Sequence, residues 1–122
     1  MPHAFRFSVS AAAPRPAAEW RELGRRAEDL GFRTRSMPDH LDAGMAPLIA
    51  LAVTAEATRN LRLATLGLGN DYRNPAFLHK QAATLDLLSD GRLELGIGAG
   101  WQSSDYERSG IDMDRPGLRI ER

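Results

Sequence analysis

Apolar and polar side chains alternate over Phe5-Arg-Phe-Ser-Val-Ser10, the period of a β-strand. The period then lengthens. Ala17, Trp20, Leu23, Ala27 and Leu30 recur at three- and four-residue steps, which predicts an amphipathic helix over 17–30. Pro16 stands near its first turn, where a missing N–H is harmless, and Gly31 offers a left-handed cap after its end. The same unit returns. Arg33–Met37 reads as a short strand, and Pro47 opens a helix over about 47–59 that is apolar on most of its surface. Leu61–Leu68 is a leucine-rich strand, and Asn74 and Pro75 cap and open a helix running to about Ser89, ahead of Asp90-Gly91. Leu93–Ile97 is a fourth strand. Ser104-Asp-Tyr-Glu107 matches a capping box and predicts a short helix ending near Gly110. A further helix-like stretch begins near Pro116.

Strand starts near 5, 33, 62 and 93 give a period of about 30 residues. Strands alternating with helices at that spacing imply parallel βαβ units with right-handed crossovers. Two architectures suit such units: half of a (β/α)8 TIM barrel, or a small doubly wound flavodoxin-like sheet. The whole chain, 1–122, reads as a single domain, and it is too short for a complete barrel, which takes about 250 residues. In both folds the chemistry sits at the carboxyl ends of the strands.

Composition narrows the function. Sixteen basic and sixteen acidic residues give a formal net charge of +0, with no basic cluster. That argues against nucleic acid or an anionic membrane as partner. There is no cysteine, hence no thiolate zinc site and no cysteine nucleophile. No apolar run approaches the roughly 20 residues of a membrane helix, and the N-terminus lacks the features of a signal peptide. A cytoplasmic location is the expectation.

Four strand ends remain to be searched. The stretch at 10–16 offers little chemistry. Asp39-His40 places a histidine at a strand end, where an adjacent carboxylate can tune it for proton transfer; the plainer reading is a turn cap and a loop hydrogen bond. Asp42 nearby does not complete a persuasive metal site. In Leu66-Gly-Leu-Gly69-Asn-Asp-Tyr-Arg73 the glycines permit a bulge or a close approach to a flat ligand, and equally a plain βα turn. Arg73 either binds a phosphate or pairs with Asp71, the pair being favoured. Gly96-Ile-Gly98-Ala-Gly100-Trp101 is a G-x-G-x-G run rather than the dinucleotide fingerprint, and suggests close approach of backbone to ligand beside a tryptophan wall. His3 lies in the terminal tail and His79 on a helix face, and Tyr72 and Tyr106 receive no role.

Four segments carry a family resemblance. They are Trp20-Arg-Glu-Leu-Gly-Arg-Arg-Ala-Glu-Asp-Leu-Gly-Phe32, Pro38-Asp-His-Leu41, Asn74-Pro-Ala-Phe-Leu-His-Lys-Gln-Ala-Ala-Thr-Leu-Asp-Leu-Leu-Ser-Asp-Gly-Arg92 and Leu95-Gly-Ile-Gly-Ala-Gly-Trp101. In this order and spacing the chain resembles the N-terminal half of the luciferase-like monooxygenase superfamily, especially its coenzyme F420-dependent oxidoreductases. The resemblance implies strands one to four of a TIM barrel, often dimeric, with a deazaflavin or FMN at the carboxyl mouth. It implies that Asp39 and His40 flank the ring, with His40 handling a proton. It places Leu66, Gly67 and Leu68 behind the ring, in a bulge that often holds a non-prolyl cis peptide. It sets Gly98, Ala99 and Gly100 beside the cofactor, where some sugar-phosphate-oxidising members carry an acid. The implied reaction is hydride transfer between F420 and a small organic substrate. FMN-dependent monooxygenation is the alternative. With half of the barrel expected, the chain reads as a truncated enzyme, as a homodimer that pairs its edges, or as a non-catalytic half-barrel that binds a ligand.

Overall fold

The computed structural model describes residues 5–121. His3 lies outside them. The elements follow the sequence pattern closely. Strands β1 (Ser8–Ser10), β2 (Thr34–Met37), β3 (Arg62–Thr65) and β5 (Leu93–Glu94) alternate with helices α1 (Ala17–Asp29), α2 (Pro47–Ala57) and α3 (Pro75–Leu88). The short pieces β4 (Leu68–Gly69) and β6 (Ile97–Gly98) continue the third and fourth strands, and α4 (Ser103–Ser109) and α5 (Pro116–Glu121) close the described chain.

The main sheet is parallel throughout, in the order β1-β2-β3-β5. That sequential order is the barrel solution. A doubly wound sheet would reverse direction about its first strand, so the flavodoxin-like alternative falls away. Register puts Val9, Arg35, Leu63 and Leu93 in one row. Leu63 and Leu93, with Met37, pack against Trp20, Ala50, Leu51 and Leu85 of the helices, and this is the hydrophobic core. The opposite face is polar. There Ser8 Oγ donates to Ser36 Oγ at 3.2 Å, and Glu94 accepts from Arg62 Nε at 2.5 Å and Thr34 Oγ1 at 3.3 Å.

The third and fourth strands are each interrupted, and the break in the third falls at Leu66–Gly67, where its glycines permit a bulge and the resemblance implies one. Leu66–Gly67 is a cis peptide. Thr65 Oγ1 both donates to the Gly96 carbonyl and accepts from the Gly96 N–H, each at 2.8 Å. A side chain at Gly96 would strike the Thr65 carbonyl oxygen, and one at Gly67 would lie 3.3 Å from the Gly96 and Ile97 backbone. The two chains therefore approach backbone to backbone, and pairing resumes one step later as Leu68↔Ile97 and Gly69↔Gly98. The close approach expected of these glycines is thus partly made by the neighbouring strand.

Caps set the helix ends. Gly31, at φ 82°, closes α1 as a Schellman turn, with Phe32 N–H donating to the Ala27 carbonyl at 3.1 Å and Gly31 N–H to Glu28 at 2.9 Å. Asn74 Oδ1 accepts from Ala76 N–H at 2.9 Å at the start of α3. The capping box expected at Ser104–Glu107 is not formed. Gln102 is the N-cap of α4 and makes no side-chain cap bond, because its amide instead bridges Asp42 and Ser104 at 2.9 Å each.

The Ser-x-Gly-Arg signature also finds a physical cause. Arg92 donates to the carbonyls of Ala55, Leu61 and Ser89 and to Thr58 Oγ1, so it caps the carboxyl end of α2. Glu28 takes the other side of the same turn, accepting from the N–H groups of Arg59, Asn60 and Leu61. Burial pushes the Glu28 carboxyl up, but these backbone bonds outweigh it and hold the group below its usual value. Its contribution is therefore complete above the unfolded-chain value and is lost as the pH falls through the depressed folded value. Urea denaturation of Glu28→Gln is expected to show a lower stability than the parent near pH 7. The difference should shrink as the pH is lowered from about 5 to about 3.

Candidate functional site

The interrupted strand ends open onto a cleft of about 210 Å³ lined by Asp39, His40, Leu66, Gly67, Gly69, Tyr72, Gly98, Ala99, Gly100, Trp101 and Asp105. It thus gathers the residues singled out at three strand ends, Asp39 and His40 after β2, Leu66 and Gly67 after β3, and Gly98, Ala99 and Gly100 around β6. Leu68 is the exception. It is fully buried and does not line the cleft, because the bulge turns it inward while Leu66 stays 64% exposed.

The two acids beside the cleft have different work. Asp39 is engaged away from His40. Both its oxygens are taken by Arg73, at 2.5 and 2.7 Å, and Oδ2 also accepts from Gly69 N–H at 2.8 Å. The expected Arg73–Asp71 pair is thereby replaced, since a bidentate fork on a buried carboxylate is the stronger match. The Asp39–Arg73 pair ties the loop after β2 to the bulge after β3.

His40 is held instead by Asp105, a residue with no place in the reading of strand ends. Its Nδ1 lies 2.9 Å from Asp105 Oδ2, and Asp105 Oδ1 accepts from Leu41 N–H at 2.8 Å. Asp105 is 2% exposed. Burial raises its pKa, but the bonds from His40 and Leu41 outweigh that and hold the carboxyl below its ordinary value. A carboxylate at Nδ1 keeps the proton of a neutral imidazole on that nitrogen, which leaves Nε2 as an acceptor. Trp101 meets the His40 ring edge-on at 5.7 Å between centroids. His79 is on the exposed surface of α3.

Tyr106, the next residue of α4, holds the glycine loop from behind. Its hydroxyl bonds the Asp71 carboxylate and the Ala99 carbonyl, both at 3.0 Å. Gly100 turns over it at φ 74°, where a side chain would meet the hydroxyl at 2.5 Å. Tyr72 packs against the Tyr106 ring at 5.3 Å, and burial, aided by Tyr106 and Asp105, pushes its phenol up to about 12. Short helix α4 therefore anchors both the histidine and the glycine loop.

His40, Asp42 and Asp105 also offer donor atoms within 4.8 Å of one another. Among them, His40 Nδ1 is bonded to Asp105 Oδ2, and Asp42 Oδ2 accepts from Gln102. The arrangement is a hydrogen-bonded histidine–aspartate pair.

Parallel βα units in sequential order, with a cleft at the strand ends, define one half of an α/β barrel. The chain belongs to the luciferase-like monooxygenase family, whose profile matches residues 2–121. It is 32% identical to the F420-dependent glucose-6-phosphate dehydrogenase of Amycolatopsis mediterranei, over 87% of this chain and 33% of that protein. It is 37% identical to the oxygenase component of the flavin-dependent trigonelline monooxygenase of Acinetobacter baylyi, over 61% of this chain and 21% of that protein. The crystal structure of monooxygenase RslO1 from Streptomyces bottropensis superposes with a TM-score of 0.82 and 26% identity, covering 96% of this chain and 40% of that one. The chain spans between 21% and 40% of the length of these relatives. Among the described residues, no helix is long and apolar enough to cross a membrane.

Proposed function

We propose that the cleft carries the ring-binding side of a deazaflavin- or flavin-dependent oxidoreductase site, with coenzyme F420 as the cofactor and hydride transfer to or from a small organic substrate as the reaction. The observation that carries this reading is the pairing of a free-edged glycine wall with a histidine held at Nδ1 by a buried aspartate. A side chain at Gly98 would meet nothing within 4 Å, so this edge of the cleft is bare backbone facing open space. Leu66, exposed at the bulge, supplies an apolar surface for a flat ring, and Trp101 bounds the same cleft. The residues present therefore fit a planar group with polar edges.

When bound, the deazaflavin would supply a two-electron hydride centre at its C5. The chain's own contribution is placement and proton handling. His40, with Nδ1 bound to Asp105, takes a proton at Nε2 from the substrate or from a water, and Asp105 stabilises the resulting imidazolium. Asp39 and Arg73 hold the loops in register. Glycines 98 and 100 let the backbone approach the ring edge.

Flavin-dependent monooxygenation, with FMN as the flavin, is the second reading, and the flavin-dependent trigonelline monooxygenase relative supports its flavin. Fluorescence titration of the purified chain with each cofactor separates them. Saturable quenching with F420, at lower concentration than with FMN, is the expected result. Saturable binding of FMN alone would overturn the F420 assignment.

A further inference from the structure

The histidine–aspartate pair beside the cleft has a second acid within reach. Asp42 is exposed, and one donor atom from each of His40, Asp42 and Asp105 lies within 4.8 Å of the others. Sequence adjacency offers only two of these three groups, because Asp105 arrives from α4. Two carboxylates thus face one imidazole. Among the described residues, no ion pair joins either carboxylate to a lysine or arginine, so the cluster holds a surplus of negative charge.

Each carboxylate is oriented through one of its oxygens. Asp105 Oδ1 accepts from Leu41 N–H at 2.8 Å, and Asp42 Oδ2 accepts from Gln102 Nε2 at 2.9 Å. Hydrogen bonds to one oxygen of this kind hold metal-ligating carboxylates in place and leave the other oxygen for the ion. His40 Nδ1 and Asp105 Oδ2 stand 2.9 Å apart. Two ligands at right angles on an ion, with bonds of about 2.05 Å, also stand about 2.9 Å apart. Asp42 is exposed and reaches the same point by rotation of its own side chain.

We propose that His40 Nδ1, Asp105 Oδ2 and one oxygen of Asp42 bind a divalent transition-metal ion of the zinc class, with water completing its coordination. An imidazole among the ligands suits zinc, whereas magnesium takes oxygen ligands and keeps its own water. An ion and a proton exclude one another at Nδ1, so on binding the proton of the neutral ring moves to Nε2. The ion therefore removes the Nε2 acceptor. That consequence rests on the proposed proton path; the binding itself does not.

Isothermal titration of the 122-residue chain with zinc chloride is expected to show one saturable site that a roughly hundredfold excess of magnesium chloride leaves in place. Asp42→Ala, at an exposed position, should weaken zinc binding at least about tenfold, while His79→Ala on the surface of α3 should not change it. Nitrogen-15 spectra of the His40 ring, recorded without cofactor, should show the proton passing from Nδ1 to Nε2 as zinc saturates, so this result is independent of any cofactor titration. Absent saturable zinc binding, displacement by magnesium, parental affinity in folded Asp42→Ala, or a His40 ring that does not respond to zinc would each overturn the proposal.

Discussion

Replacing His40 with alanine is expected to lower turnover with F420 by about 10² to 10⁴, the range of a lost general acid–base, while lowering stability by about 1 to 3 kcal/mol, the range for a buried acceptor that loses one partner. The asymmetry follows from the structure. His40 is part-buried in the loop after β2 and bonds Asp105, and it is not among the core residues Trp20, Met37, Leu51 and Leu63. Asp105 keeps its Leu41 N–H bond when the imidazole is gone, so the loop after β2 retains an anchor. Stopped-flow turnover and urea denaturation on the same preparation measure the two quantities. Turnover within about threefold of the parent would remove His40 from the proton path.

The largest loss of stability is expected from Gly96→Ala, at about 3 kcal/mol or more. An added methyl at Gly96 collides with the Thr65 carbonyl oxygen, which is backbone and cannot rotate away. Relief requires β3 and β5 to separate. That breaks the reciprocal bonds between Thr65 Oγ1 and Gly96, each near 1 kcal/mol, in addition to the overpacking itself. Gly98→Ala is the control, since its side chain points into open space and should be nearly neutral. Midpoint shifts in urea decide it. A Gly96→Ala loss below about 1 kcal/mol would mean that the close approach is not as described.

Most of the fold was legible along the chain because its signals are local. The three- and four-residue stripe of α1, Pro47, Asn74-Pro75 and the glycine at 31 all act within a turn or two of where they stand. The barrel order was not settled locally, since four βα units fit either a wound sheet or a half-barrel until the sheet order is known. The bulge after the third strand could be read from its glycines, but its match in the fourth strand was hidden for the same reason, since it arises where Gly67 and Gly96, far apart in the chain, bring two backbones together.

The site was legible to the extent that it is made of strand ends. His40 and the glycine loop could be found from their positions. The partner of His40 could not, because Asp105 is 65 residues away and sits in a stretch that also reads as a capping box. Sequence adjacency pointed to Asp39, whose side chain is instead drawn to Arg73. The one signal that could have found Asp105 is a buried-looking Asp-Tyr pair in a helix otherwise made of polar residues, Ser103–Ser109.

The central claim is that the cleft between the ends of β2, β4 and β6 is where a flavin or deazaflavin ring sits. Mapping amide chemical shifts of the labelled chain during titration with F420, and separately with FMN, tests it directly. The expected result is that the largest changes fall on Asp39, His40, Leu66, Gly67 and Gly69, and on Gly98 to Trp101, with one of the two cofactors saturating. Saturable changes confined to other surfaces, or no saturable change with either cofactor, would contradict it.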